Sequence, residues 1–490
     1  MMDEEFVLGI DLSTHGVKVL AVDRNGVIVG QAEESYERIV RPGGIQEQSV
    51  ESMWESLCAA IRRILVTVNS SKICAIAVTH QRGTVISLDE NNEPLNPAIC
   101  DSDTRSQKQA RWLSDHIGNQ RLYELTGCPA LAFNGLTKIL WWYQEQPEIA
   151  YKVFHWASAQ DWILYKLTGE LKSNPGSALR MGVLDIRYPN RYAEELLAEI
   201  QISASVFPEI KKFGLPIGYT NLSASAETGL GEGIPVFPAP GDQPAAVLGT
   251  GAIKDGSVVL SLGTSFLFSF PFAQFVPFDP LVQYTLEVLP DDRYALEFGS
   301  GAGTNVLDWL RVNLLGVSSV EQLTQLGTLS QRGANGIIVI PQWWSVLNDR
   351  ITGAITGLCP SHTRSDVVRA TYEGLAFELR WTWEQLIKST GFTPTRIALC
   401  GGASKNELLC QIISNVLRCP VYWPETVEAS AFGAAIVAAL GASWYGNIQE
   451  ATKMACRERA HYDPDIDDIE FYQDLYSEYI RKRVSLELQQ

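Results

Sequence analysis

The sequence predicts an α/β protein of two large domains built on one plan. Three observations lead there. The chain has 490 residues, more than a single hydrophobic core usually supports. Its opening "FVLGIDLSTHGVKVLAVD" is an apolar strand, a small hydroxyl-bearing turn and a second apolar strand. The same pattern returns half a chain later in "GSVVLSLGTSFLFSFP", with the turns ending at Thr14 and Thr264, as duplication would leave them.

In chain order, "RNG" turns the second strand into a third, "VIVGQAEES", completing a meander. A helix follows in "EQSVESMWESLCAAIRRILVTV", where Val50, Met53, Trp54, Leu57, Ile61, Ile64 and Leu65 keep helical spacing. "KICAIAVTH" reads as a buried strand, and "TVISLDENNEPLNPAIC" as a strand, a turn and an extended segment. "GLGEGIPVFPAPGDQP" carries Pro235, Pro238, Pro240 and Pro244 and suits a crossing between domains, giving domains of residues 1–245 and 246–490. "PTRIALCGGASKNELLCQIISNVLRCPVYWPE" reads as strand, glycine turn, helix, strand, with Ser404 and Glu407 as a capping box. "EASAFGAAIVAALG" is a small-residue helix fit for close packing. The last segment, "HYDPDIDDIEFYQDLYSEYIRKRVSLELQQ", reads as a surface helix without visible chemistry.

Bulk composition narrows the function classes. A formal net charge of −17 repels phosphate backbones and argues against nucleic-acid binding. A single nucleotide can still bind where backbone N–H groups, a cation or a metal ion meet it. The nine cysteines form no C-x-x-C pair and read as buried thiols in a reducing cytoplasm. The acidic start has no signal-peptide pattern, and no run is long enough to span a membrane. The six histidines show no metal-ligand spacing.

Turns like "DLST" and "SLGT" present outward N–H groups and hydroxyls, and two such hairpins facing each other would clamp phosphates. Asp11, at the end of a buried strand, could hold a hydrated magnesium ion, and Lys18 could add a cation. Taken singly, each hairpin reads more readily as an ordinary turn with turn-favouring residues. Gly401 and Gly402 end a strand before a helix, where a ligand can approach the backbone; Gly301 and Gly303 offer a similar approach. Neither a P-loop nor the protein-kinase motif set is present. In "APGDQPAAVLGTG" the local pattern favours Asp242 as a helix N-cap, with Pro244 in the first turn; catalysis is the alternative.

These segments together resemble the FGGY carbohydrate kinases, the family of glycerol kinase and xylulokinase, nearly end to end. "GIDLSTHGVK" and "LSLGTS" resemble its two phosphate hairpins, "PAPGDQPAA" its catalytic-aspartate segment and "CGGASKN" its adenosine-binding turn. "GAITGLCPSHTRSDVVRATYE" matches its second signature, and "FNGLTKILWWYQEQPE" approximates the first, departing at Gly135 and Trp142. The resemblance implies two ribonuclease-H-like, actin-like ATPase domains with the active site in the cleft between them. It implies ATP and Mg2+ as cofactors and Asp242 as the base that takes a proton from a sugar hydroxyl. Asp11 and Asp242 would flank the metal. Ser13, Thr14, Lys18, Gly263 and Thr264 would handle phosphates, and Gly303, Gly401, Gly402 and Asn406 would line the nucleotide site.

Gln81, Arg82, Asp103, Phe133 and Gln243 would contact the sugar on the same resemblance. Glycerol kinases read Q-R-E-T and many xylulokinases Q-M-H-G where this chain has Gln81-Arg82-Gly83-Thr84. Glycerol is therefore disfavoured. Asp103 and Arg105 fall where pentulose kinases carry N-D-x-R, which leans toward a pentulose, xylulose first, with ribulose, gluconate or another polyol as alternatives. A solvated or structural pair is the lesser alternative for Arg82 and Asp103. In "PQWWSVLNDRITG" the G-x-R-x-P element common in relatives is missing. The partners implied are a small sugar or polyol and ATP, with neither nucleic acid nor membrane, and a second copy of the chain as a candidate. A nucleotide-dependent switch of the same fold is the competing function class.

Overall fold

A computed structural model describes residues 5–254, 256–273, 285–291, 293–343, 353–426, 428–455 and 457–488. Over these residues the chain forms two compact units, neither of them a single stretch of chain. The first draws on residues 1–253, 272–296 and 428–456, the second on 254–271, 297–427 and 457–490.

The first unit is built on a six-stranded sheet. Phe6–Leu12, Gly16–Asp23 and Ile28–Ser35 form the expected antiparallel meander. On its other side Phe6–Leu12 runs parallel to Ile73–His80, which runs parallel to Pro235–Pro238. The proline-rich run is therefore a buried strand of this sheet and not a crossing; strand-edge prolines are accommodated there because Pro235–Pro238 is followed only by the two-residue strand Gly218–Tyr219. Register decides what this sheet presents. Leu12 lies opposite His80, and Pro238 opposite Val78. The segments carrying Ser13-Thr14, Gln81-Arg82 and Gly241-Asp242 thus all leave the sheet at the carboxyl ends of parallel strands, the edge where α/β sheets gather ligand-binding groups.

The helix Val50–Ile64 forms as its spacing predicts. Ser49 caps it by accepting from Ser52 N, Arg62 and Arg63 end it, and Val50, Met53, Trp54, Leu57, Ile61 and Ile64 enter the core. The small-residue helix Ala429–Gly441, late in sequence, belongs to the first unit and packs on Phe6–Leu12 and on the helix Asp242–Gly249. Close approach is why its residues are small. A Cβ on Gly9 would stand 2.1 Å from Ala431 O, and one on Gly433 1.9 Å from Ala245 O. A second sheet in this unit orders Arg38–Arg41, Ile45–Gln48, Ala98–Ile99, Val85–Leu88 and His155–Ser158.

The second unit repeats the central motif. Ser257–Leu262 makes an antiparallel hairpin with Phe266–Phe272 and runs parallel to Arg396–Cys400, which runs parallel to Val421–Pro424; Glu458–Tyr462 closes that side. Two expectations are corrected here. The helix Glu407–Leu417 is capped by Asn406, whose Oδ1 accepts from Leu409 N, and not by Ser404; a 3₁₀ turn over Gly402–Lys405 intervenes, and the Ser404 hydroxyl donates to Gly401 O instead. The last helix, Ile466–Leu488, is no bare surface helix. Tyr472 and Tyr479 are buried and donate to Glu373 and Glu378 of the long helix Arg364–Thr390. The departure noted at residues 341–353 falls mostly on 344–352, outside the described residues.

Candidate active site

Asp242 is the first residue of the helix Asp242–Gly249; the N-cap is Gly241, without a side-chain cap bond. The capping reading thus fails by one residue, and the Asp242 carboxylate is turned to other partners. Its Oδ1 accepts from Gln243 N at 2.8 Å and from Arg82 Nε at 2.7 Å. Its Oδ2 makes no hydrogen bond among the described residues. The helix itself is pinned by Ser430, whose hydroxyl donates to Asp242 O at 2.9 Å. Gly241 must be glycine, because a Cβ there would lie 2.2 Å from Arg82 Cδ.

Arg82 is almost wholly buried and also reaches Glu287 through Nη1. Glu287, on the strand Thr285–Leu289, is fully buried and lies 3.2 Å from Arg180 Nε. The Arg180 guanidinium in turn covers the Phe133 ring at 5.1 Å from its centroid. Asp242, Arg82 and Phe133, singled out from sequence, are therefore joined by two residues that were not, Arg180 and Glu287. Nothing in "YTLEVLPDD" marks Glu287: between Leu286 and Val288 it reads as an ordinary polar, outward position of an alternating strand.

The first hairpin is tied to the same edge. Ser13 closes its turn, its N–H and hydroxyl both donating to Gly16 O. Gln48 Nε2 donates to Thr14 O at 2.8 Å, and Gln81 Nε2 donates to Gln48 Oε1, so Gln81 is held against the turn. Asp11 Oδ1 is buried and has no hydrogen-bond partner among the described residues. Burial, then the nearby charge of Asp242, pushes its pKa up to about 7. Lys18 is paired with Glu428 at 2.7 Å. Burial works against its charge, but the hydrogen bond and charge of Glu428, with Glu33 and Asp11, hold its pKa above the usual lysine value.

His80 went unnoticed although it adjoins Gln81. It is buried, neither ring nitrogen has a hydrogen-bond partner among the described residues, and burial drives its pKa down to about 3, so it is neutral beside Asp242, Arg82 and Arg180. Asp103 has both oxygens engaged, by Arg105 and by Gln46 N, and Arg105 also pairs with Glu47. Two residues earlier, Asp101 keeps a buried Oδ1 with no hydrogen-bond partner among the described residues, and burial raises its pKa. Lys138 is fully buried and donates to Gly83 O and Phe133 O, fixing the loop on which Phe133 stands; burial lowers its pKa to about 8. Gln243 Oε1 is buried and has no hydrogen-bond partner among the described residues.

In the second unit the expected glycines converge. A Cβ on Gly303 would lie 2.6 Å from Thr264 O and 2.9 Å from Gly263 O. Gly401, at φ +85°, would bring a Cβ 2.9 Å from Leu262 O, whereas the space around Gly402 is open. Thr304 N and Asn305 N donate to Gly263 O and Thr264 O. The hairpin turn, the segment at Gly303 and the turn at Gly401 therefore form one glycine-lined cluster, with Asn406 at its helix start.

A hairpin-and-parallel-strand core built twice, with an available carboxylate at the sheet edge of one copy and a glycine cluster at the turn of the other, is the ribonuclease-H-like, actin-like plan. The comparisons make this specific. The profile of the N-terminal domain of the FGGY family of carbohydrate kinases matches residues 6–249, and that of its C-terminal domain matches 258–442; the chain belongs to this family and is a sugar kinase by descent. It is 26% identical over 486 residues to a xylulose kinase of Staphylococcus epidermidis, covering 98% of this chain and 96% of that one. Two solved structures from Lactobacillus acidophilus, a ligand-bound xylulose kinase and a gluconate kinase, each superpose with a TM-score of 0.91 at 22% identity, over 99% of this chain and 98% of theirs. Likeness of fold is thus the same for both substrate names. Among the described residues no helix is long and apolar enough to cross a membrane.

Proposed function

We propose that the protein transfers the γ-phosphoryl group of ATP to a hydroxyl of an uncharged ketose or polyol, a pentulose such as xylulose first, in the cytoplasm. The observation that carries this is the Asp242 carboxylate. One oxygen is fixed by Arg82 and Gln243 N, and the other is available to a hydroxyl. Phosphoryl transfer asks of a protein mainly positioning and charge stabilisation, with a base to accept the hydroxyl proton. In this reading Asp242 Oδ2 takes that proton. Gln81, Arg82, Gln243 and Phe133 surround the sugar, and His80 offers a neutral hydrogen-bonding edge beside them. Asp103 acts through Arg105, as a positioning residue. Ser13, Thr14, Lys18, Gly263 and Thr264 attend the phosphates, and Gly303, Gly401, Gly402 and Asn406 the rest of the nucleotide.

Magnesium fits the residues present. Asp11 offers a buried oxygen with no hydrogen-bond partner among the described residues, next to the charge of Asp242. Among the described residues no three His, Cys, Asp or Glu side chains form a metal-holding group. Two carboxylates with water and substrate phosphates completing the shell is how Mg2+ is commonly held. Bound there, the ion would neutralise charge on the phosphates; Asp11 and Asp242 would hold it.

A coupled assay for ADP release across ketoses, alditols and aldonates tests the reading. A neutral ketose should give the highest kcat/KM. Tight ATP binding with no sugar-dependent turnover by any of them would instead favour a nucleotide-dependent switch.

A further inference from the structure

The proposed transfer gives the buried carboxylate of Glu287 no task. Glu287 takes no part in phosphoryl transfer, yet it sits fully buried between two guanidinium groups, Arg82 and Arg180. Two buried arginines converging on one point form a receptor for a planar anion, since each guanidinium offers a fixed fork of donors. Glu287 pairs with both, through Arg82 Nη1 and at 3.2 Å from Arg180 Nε. The protein supplies the anion itself. Glu287 is delivered by a strand anchored through Leu286 N to Gly127 O at 3.0 Å. The seat adjoins the proposed sugar site on two sides: Arg82 holds Asp242, and Arg180 covers Phe133.

We propose that Glu287 is a specificity residue, a resident stand-in for a substrate carboxylate that fills the Arg82–Arg180 seat and so restricts the site to uncharged ketoses and polyols. The proposal rests on the sugar-kinase reading and deepens it. A sugar acid entering this site would meet a seat already taken and two carboxylates, Glu287 and Asp242, of its own sign. Specificity of this kind comes from the repulsive element as much as from the attractive one.

The test compares matched pairs that differ only in a carboxylate: D-gluconate against sorbitol, and xylonate against xylitol. Binding is measured by titration calorimetry on the full-length protein, and turnover is followed alongside. Wild type should bind and phosphorylate the neutral member preferentially. In Glu287→Ala, and in the isosteric Glu287→Gln should the alanine variant fail to fold, binding of the acid relative to its neutral partner should rise about 10-fold or more, the worth of one charged hydrogen bond. An unchanged ratio in a variant with wild-type circular dichroism would overturn the proposal. So would a wild type that takes the aldonate as readily as the alditol. A protein that phosphorylates nothing in the panel would count against the kinase reading alone, because the binding ratio still reports on Glu287.

Discussion

At the scale of single residues, Asp242 and Asp11 are two neighbouring acids with different surroundings. Asp242→Asn keeps the hydrogen-bonding shape and removes the base, so kcat should fall about 10²–10⁴-fold with ATP affinity retained, as stopped-assay kinetics and nucleotide titration would register. Wild-type turnover in that variant would refute its role. Asp11 carries a prediction in pH. Its folded-state pKa is raised from 3.8 to about 7, so between these values the folded state binds the extra proton and loses stability as pH rises. Asp11→Asn should therefore leave the melting temperature unchanged below pH 4. It should raise that temperature by a few degrees from pH 7 upward in metal-free buffer, while weakening Mg2+-ATP binding. A pH-independent difference between the two proteins would contradict the assignment. The Asp242 segment and the two hairpin turns stand out in the sequence because tight turns and close backbone approaches need particular small residues in order. Arg180, Glu287 and Glu428 were not legible, because a buried ion pair leaves no local pattern: its members come from segments far apart in the chain.

Among the elements, the contact of the helix Ala429–Gly441 with the strand Phe6–Leu12 and the helix Asp242–Gly249 is set by the absence of side chains. A Cβ on Gly433 would collide with backbone, which cannot rotate away. Gly433→Ala should cost about 3 kcal/mol, at the upper end for overpacking, and should lower kcat by moving the helix that begins at Asp242. Gly231→Ala, whose nearest contact would be 3.9 Å, is the control and should stay within about 0.5 kcal/mol by urea denaturation. Equal effects at the two positions would disprove the packing account. Sequence periodicity foresaw the meander, the Val50–Ile64 helix and this small-residue helix, since each repeats a local spacing. It misjudged the Pro235–Pro238 strand, where proline content masked a partner strand at Ile73–His80, and the final helix, whose tyrosines look amphipathic only once their glutamate partners are in place.

For the whole molecule, the feature of most consequence is that the first unit is interrupted in sequence. A fragment of residues 1–253 lacks the helix Ala429–Gly441 and leaves a flat, glycine-marked face of its central sheet exposed. Expressed alone, it should show native-like far-ultraviolet but weakened near-ultraviolet circular dichroism and bind hydrophobic dyes; fusing residues 428–456 to it should restore fixed packing. A sharply melting fragment 1–253 would refute this. The same interruption has a temporal side. Ser430, which fastens the helix that starts at Asp242, follows it by 188 residues in the chain. At about 5–20 residues per second, a ribosome delivers that fastening roughly 10–40 s after the acid itself. The helix that begins at Asp242 is therefore unfastened over that interval, and a chain broken off before Ser430 never gains this hydrogen bond.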